Sequence, residues 1–334
     1  MVIDVDNNLK GMSVAKVFEH KDTNIRLSSS SGGLFSELAI RVFKDGGVCF
    51  GAVFTENWQV KHICAKNEAQ FVKMRKSKYV TSHLEGTFKE VESYLQLGTK
   101  VLFTGVPCQI ASLKKSLGTD YENLLTAEIV CHGCPRDDAW TMYLDEVVSK
   151  TGHCICDIKS IDFRDKTDGW ESYRFTIAFK DGHTFSEPAD KNLFMRLFLG
   201  NYTIKRGCFS CPFKIENTKA DITMGDFWGM EELLPDKDRR YGASIVIPNT
   251  EKGIKALEGI EFCAEFDIAE VAKYNPSLIH SSQMPSNYDA IDEKIKRNVS
   301  IFSIGKQIYS PSIFNRIWSK FKRTVAKIRN GRQR

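Results

Sequence analysis

Apolar residues recur along this chain at two spacings. Leu34, Phe35, Leu38, Ala39 and Val42 fall three or four apart, the period of one helix face, whereas VCFGAVFT (Val48 to Thr55) and VKHICA (Val60 to Ala65) are short apolar runs that read as a hairpin. NEAQFVKM is a short helix, Thr87 to Gln96 a longer one, and KVLFT a buried strand that turns through Gly105, Val106 and Pro107 into the helical IASLKKSL. LLTAEIV repeats that strand, turns at Cys131 to Pro135, and leads into a helix ending near Lys150. Two successive strand, turn and helix units predict parallel pairing. Then the pattern changes: IDFRDKTDGW, SYRFTIAF and HTFSE look like antiparallel strands, with Arg164, Asp165 and Lys166 forming a solvated ion-pair turn in the connection. NLFMRLFLG is a helix, SIVIPNT a strand and EKGIKAL a helix, while Met1 to Ile25 is polar and weakly patterned. The expected fold is α/β, a mixed, partly parallel sheet with flanking helices, followed by a basic C-terminal amphipathic helix. In that helix Ile313, Phe314, Ile317, Trp318, Phe321, Val325 and Ile328 share one face and lysines and arginines the other.

Composition narrows the class. At 334 residues, 42% hydrophobic and 27% charged, the chain has the makeup of a globular protein with ample core. No run reaches the ~18 apolar residues of a spanning helix, and the first thirty residues carry no apolar stretch of signal-peptide length, so a cytoplasmic protein is expected. The net charge of +5 is an uneven average: nine Lys or Arg and no acid lie from Lys306 onward, leaving 38 bases against 42 acids elsewhere. A general nucleic-acid surface is therefore not expected, because the remaining bases alternate with acids. The tail 313–334 suits an anionic membrane surface, which would place the protein peripherally at the inner face, or its apolar side docks on the protein's own body.

Candidate chemistry sits in the cysteines. Ten of them in a reducing compartment are not expected to form a disulfide framework, so the clustered ones point to metal or redox chemistry. Cys49 and Cys263 lie in strand-like apolar runs and read as buried thiols, and Cys154 and Cys156 form a C-x-C along a strand that reads as structural. The others cluster. RGCFSCPFKIENTKADITMGDFWG holds Cys208 and Cys211 in a C-x-x-C, close enough to grip one ion or two corners of a cluster. Cys108 stands in the turn GVPCQ at a helix N-terminus, where a thiolate is favoured, and Cys131, His132, Gly133 and Cys134 occupy the next such turn. Parallel strands would bring both turns to the sheet edge where open α/β folds place ligands. Two further stretches invite an anion. LSSSSGG (Leu27 to Gly33) opens a helix, as a phosphate loop or a simple N-cap. Arg75, Lys76, Ser77, Lys78 and Tyr79 form a basic turn, either a solvated surface loop or a clamp with Tyr79 free to stack.

With LSSSSGGLFSELA, MRKSKYV, FTGVPCQIASLKKSLG, EIVCHGCP and ADITMGDFWG all present in this order, the chain resembles the coenzyme F420 hydrogenase/dehydrogenase beta subunit family from about Leu27 to about Leu257, and NPS at Asn275 to Ser277 extends the likeness. The resemblance implies an iron-sulfur flavoprotein in which a 4Fe-4S cluster lies near FAD and the flavin passes a hydride to or from a small-molecule redox substrate, such as a deazaflavin. It implies three regions: 12–92 with the flavin loops, 93–262 with the cysteine cluster, and an extension over 263–334. Carried across, the cluster ligands fall on Cys108, Cys131, Cys208 and Cys211. Ser30, Ser31, Gly32, Gly33, Lys76, Ser77, Lys78 and Tyr79 line the flavin, with Asp226 beside it. Two departures stand out. Cys134 replaces the aliphatic residue common in the family's CHG-x-P turn, and the N-terminal ferredoxin-like module is missing, so an external ferredoxin-like donor or acceptor is implied. His132 either donates a hydrogen bond to a ligand sulfur or is satisfied by backbone. The rival from another class is structural zinc held by Cys131, Cys134, Cys208 and Cys211 without redox activity. A thiol enzyme with Cys108 as nucleophile lacks an identifiable base.

Overall fold

A computed structural model of the chain describes residues 14–310. The basic helix expected over 313–334 lies outside the described residues. In chain order the strands are β1 (Ala15–Phe18), β2 (Val48–Phe54), β3 (Val60–Ala65), β4 (Ser82–His83), β5 (Val101–Gly105), β6 (Leu124–Ile129), β7 (Ile158–Asp165), β8 (Arg174–Phe179), β9 (Thr184–Pro188), β10 (Ile222–Asp226), β11 (Ser244–Pro248) and β12 (Ala264–Phe266). Among the described residues they form a nine-stranded sheet in the order β12-β1-β11-β10-β6-β5-β2-β3-β4 and a three-stranded sheet, β7-β8-β9. The centre of the large sheet, β2-β5-β6-β10, is parallel, and β3, β11, β1 and β12 join it through antiparallel pairs. This is the mixed, partly parallel α/β arrangement the hydrophobic pattern predicts.

Alternation along each strand assigns its two faces to different helices. Leu34, Leu38, Ala39 and Val42 of the helix Leu34–Lys44 pack on a face carrying Cys49, Val53, Leu102 and Ile222. On the other face Val48, Phe50, Val101 and Phe103 meet Val91 and Leu95 of Thr87–Gln96, and Ile110 and Leu113 of Pro107–Leu117. The small sheet presents Phe163, Phe175 and Ile177 to Trp140, Tyr143 and Phe194, from the helices Asp137–Lys150 and Leu193–Leu199. Each of these fully buried aromatics contributes about 1.5–3 kcal/mol of transfer free energy. The last described helix, Ile301–Tyr309, closes this second core and is tied to Asp137–Lys150 by Glu146, whose carboxylate accepts from Ser300 Oγ (2.7 Å) and the Ile301 N–H (2.6 Å).

Three local expectations are corrected. The segment before Ile25 contains β1, whose Ala15 and Val17 are fully buried between β11 and β12; four residues are too short a run to show a period. Arg164 is not solvated. It belongs to β7 and is 1% exposed, and Lys166 is inserted between loops, its Nζ donating to the carbonyls of Arg26 (3.0 Å), Ser31 (3.2 Å) and Tyr241 (2.7 Å). Cys154 and Cys156 lie in and beside a 3-10 turn, Ile155–Asp157, rather than along a strand, and are joined as a disulfide.

Candidate functional site

Because β5, β6 and β10 run parallel, their C-terminal ends share one edge of the sheet. The turn after β5 carries Cys108, the turn after β6 carries Cys131 and Cys134, and Asp226 ends β10. Cys208 and Cys211 arrive on a separate loop, the 3-10 turn Arg206–Ser210, which is joined to the β6 turn by Lys205 N–H to Cys134 O (2.8 Å) and by the Cys134 N–H to Cys208 Sγ (3.3 Å). The gathered sulfurs add to the rise at Cys108 and Cys131. Burial, then Cys134, Cys211 and Cys208, raise Cys108 to about 11; burial, then Cys134, Cys108 and Cys208, push Cys131 up further. The thiolate expected of Cys108 at its helix N-terminus is thus not favoured in the bare protein, since desolvation and neighbouring sulfurs outweigh the helix end.

Cys134 differs from the rest. Thr81 spends its only hydroxyl proton on the Pro135 carbonyl (2.5 Å), so its oxygen is left to accept the Cys134 S–H at 3.2 Å. Burial raises the Cys134 thiol, with the Thr81 contact opposing. Tetrahedral zinc with bonds of about 2.3 Å holds its sulfurs about 3.8 Å apart. Among the described residues no three of these five thiols lie mutually within 4.8 Å; the one group that does is Cys154, Cys156 and Asp157.

The tail of the described chain seals the edge. Lys214 Nζ donates to Ser277 O (2.9 Å) and Cys131 O (3.4 Å), Ser281 Oγ to Cys211 O (3.1 Å), and Ser282 Oγ to His132 O. His132 makes no hydrogen bond to sulfur among the described residues: its ring meets Phe198 edge-on at 5.2 Å, and its buried Nε2 has no partner. Cys108 is exposed.

Beside the thiols lies a cavity of about 210 Å³, with Cys134, Gly105 and Gln109 on the sulfur side and Ser30, Ser31, Gly33, Lys76, Ser77, Lys78 and Asp226 among its walls. Gly33 takes φ +93° to turn the loop into the helix Leu34–Lys44, and Gly32 lies so close to its neighbours that a Cβ would come within 2.1 Å of Phe18 O. Gly32 is thus a packing residue rather than a wall. Leu34 and Phe35 N–H have no backbone partner, and Ser36 Oγ, buried in the cavity wall, has none at all among the described residues. Unpaired donors at a helix N-terminus suit a phosphate.

The basic turn is a scaffold more than a clamp. Lys76 is paired with Asp162, and Lys78 Nζ donates to the carbonyls of Met74 (3.2 Å), Arg75 (2.9 Å) and Lys76 (3.2 Å). Burial, with Lys76 adding and Asp162 opposing, pushes Lys78 down to about 7. Among the described residues Arg75, 3.0 Å from Ser28 Oγ with its Nε unpartnered, is the cavity cation left for an anion. Tyr79 is not free to stack on a ligand: its ring packs against Phe163 and Phe198, outside the cavity wall.

Two cavity features have no sequence signal. His62 Nε2–H donates to Thr104 O (2.8 Å), so Nδ1 accepts from Ser82 Oγ–H (2.6 Å), and burial pushes the ring down to about 4, keeping it neutral. Ser82 then offers only lone pairs to the cavity. Behind Asp226 stands Arg164: its Nη1 donates to Oδ2 (2.7 Å) and to Tyr79 Oη (3.3 Å), and its guanidinium lies 4.1 Å from the Tyr173 ring and 5.2 Å from Trp228. Burial works against its charge, but Asp226 and the two tyrosine hydroxyls outweigh it and hold its pKa above the ordinary value. The pair spans both sheets, which sequence order cannot reveal.

Comparison with known proteins bears on this edge and cavity. A family model describing the C terminus of the coenzyme F420 hydrogenase/dehydrogenase beta subunit matches residues 98–273, more than half of the chain and all five clustered cysteines. No curated protein matches the chain. Among solved structures, a chain of the F420-reducing nickel-iron hydrogenase complex from Methanosarcina barkeri is similar at 19% identity and a TM-score of 0.54, over 88% of this chain and 92% of that one, a likeness of fold.

Proposed function

Because the chain belongs to the coenzyme F420 hydrogenase/dehydrogenase beta subunit family, and is thereby an oxidoreductase, we propose that it holds a 4Fe-4S cluster on Cys108, Cys131, Cys208 and Cys211 and FAD in the adjoining cavity. It would move electrons between an external ferredoxin-like protein and a small two-electron acceptor or donor such as a deazaflavin. The observation that carries this reading is the gathering of thiols from three distant stretches at one sheet edge, with Cys134 forming a wall shared with the cavity. A cluster is larger than a single ion and can be held by sulfurs that do not lie mutually within 4.8 Å. Cys134, whose sulfur is engaged by Thr81 Oγ1, is the one left out of the ligand set.

The donor set suits the flavin as well. The unpaired N–H groups of Leu34 and Phe35, the Ser36 hydroxyl and Arg75 would take the pyrophosphate. Ser82, restricted to accepting, would bind a ring N–H. When bound, a flavin beside a thiolate-ligated cluster interconverts one-electron and two-electron transfer. Lys214, Ser281 and Ser282 hold the carbonyls of Cys131, Cys211 and His132 and so fix the cysteine turns, and Cys108 is left exposed as the point of electron entry.

The test is anaerobic purification with iron, sulfide, zinc and flavin analysis of the native protein and of Cys108→Ser and Cys134→Ser. Iron and sulfide should fall several-fold in Cys108→Ser and persist in Cys134→Ser, with flavin bands over a broad cluster absorbance in the native spectrum. Colourless protein that holds zinc and no flavin, or loss of iron in Cys134→Ser alone, would overturn the reading.

A further inference from the structure

The turn between the helix Asp137–Lys150 and β7 carries two cysteines that the cluster reading leaves unused. Cys154 and Cys156 are both exposed and joined as a disulfide. We propose that this pair is a reversible dithiol/disulfide site that exchanges with a dithiol partner of the thioredoxin or glutaredoxin class.

Three observations separate it from a structural staple. The bridge encloses a single residue, Ile155, and because the stabilisation from a cross-link grows with the logarithm of the loop it closes, this one lies at the low end of what a disulfide contributes to the fold. Both sulfurs are open to an attacking thiolate, and access is a main determinant of exchange. The turn is also held without the bridge: the Cys154 N–H donates to Asp157 Oδ2 (2.8 Å), the Asp157 N–H to Cys154 O (3.0 Å), the Lys180 N–H to Asp157 O (2.8 Å), and Lys180 Nζ to Cys156 O (2.6 Å). Opening the bridge therefore leaves the entry to β7 in place, so the site can cycle in the folded protein.

The chemistry balances with one partner dithiol. A partner thiolate attacks one sulfur, forming a mixed disulfide and releasing the other cysteine as a thiolate, which takes up a proton. The partner's second thiol then displaces the first cysteine. Two electrons and two protons pass to this chain, and the partner leaves as a disulfide; the reverse sequence reoxidises the pair. Lys180 Nζ, on the Cys156 carbonyl, places a cation at the turn, the Asp157 carboxylate lies within 4.8 Å of both sulfurs, and the protons are exchanged with solvent.

The full chain, purified anaerobically, would be equilibrated in mixtures of glutathione and glutathione disulfide and separately with dithiothreitol, quenched with N-ethylmaleimide and mapped by peptide mass. The peptide holding Cys154 and Cys156 should pass from unlabelled to doubly labelled and back across the series, without denaturant and with unchanged tryptophan fluorescence. In Cys154→Ser, Cys156 should instead carry glutathione at the oxidising end. A pair that stays doubly labelled in excess glutathione disulfide, one that dithiothreitol opens only after denaturation, or one that in its reduced form retains stoichiometric zinc and resists labelling would each overturn the proposal. Because this peptide contains none of the five clustered cysteines, the outcome is independent of the cluster and flavin.

Discussion

Replacing Asp226 by Asn would test how the two sheets are coupled at the cavity. The amide keeps the carboxylate's shape but removes its charge, leaving the Arg164 guanidinium, 1% exposed, without a counter-ion. Arginine does not escape by deprotonating. Stranding one member of a buried pair costs about 3–5 kcal/mol, and at about 2–4 °C per kcal/mol for a protein somewhat smaller than this one the melting temperature should drop by about 10 °C. The reciprocal change is expected to cost less. In Arg164→Met the remaining carboxylate is 17% exposed at the cavity wall, where water reaches it, and the loss should be about 1–3 kcal/mol. The double variant should recover much of the Asp226→Asn loss, because neither charge is then stranded. Urea unfolding of the four ligand-free proteins gives the coupling directly. If Asp226→Asn costs under about 1 kcal/mol, or the single losses add to the double within about 0.5 kcal/mol, the pair is not the buried link described above.

Lys78 makes stability pH-dependent: its folded value of about 7 lies below the 10.5 of an unburied lysine, so the folded state holds fewer protons between those values and stability should rise with pH through that window. The advantage of the native protein over Lys78→Met should therefore grow by about 2–3 kcal/mol from pH 7 to pH 9, and a constant difference in urea melts would refute it. Glu146→Ala removes the acceptor at the start of Ile301–Tyr309 and should cost about 1–2 kcal/mol, seen as faster amide exchange confined to that helix. Asp221→Ala strands the Thr126 N–H and the hydroxyls of Thr126 and Thr250, which the carboxylate now receives at 2.8, 2.6 and 2.9 Å, and should cost about 3 kcal/mol by thermal melting.

The β2-β3 hairpin, the helices Leu34–Lys44 and Thr87–Gln96, and the two strand, turn and helix units were legible because each repeats a period over six or more residues. The same units placed Cys108 and Cys131 at ends of parallel strands, so sheet geometry alone predicted that they would meet. The glycine loop and basic turn were legible as polar breaks between periodic runs, but not the use of each residue. Gly32 packs, Tyr79 is sequestered by Phe163 and Phe198, and Lys76 and Lys78 are saturated by Asp162 and three carbonyls. Local sequence thus determined the elements, their order and the chemical types available at the sheet edge, since these depend on spacing and on residues within a turn of one another. Tertiary structure decided the partners: Arg164 with Asp226, His62 with Ser82, Thr81 with Cys134 and β1 between β11 and β12 are contacts between residues 20 to 251 positions apart, formed by burial and by hydrogen bonds that must be satisfied once water is excluded.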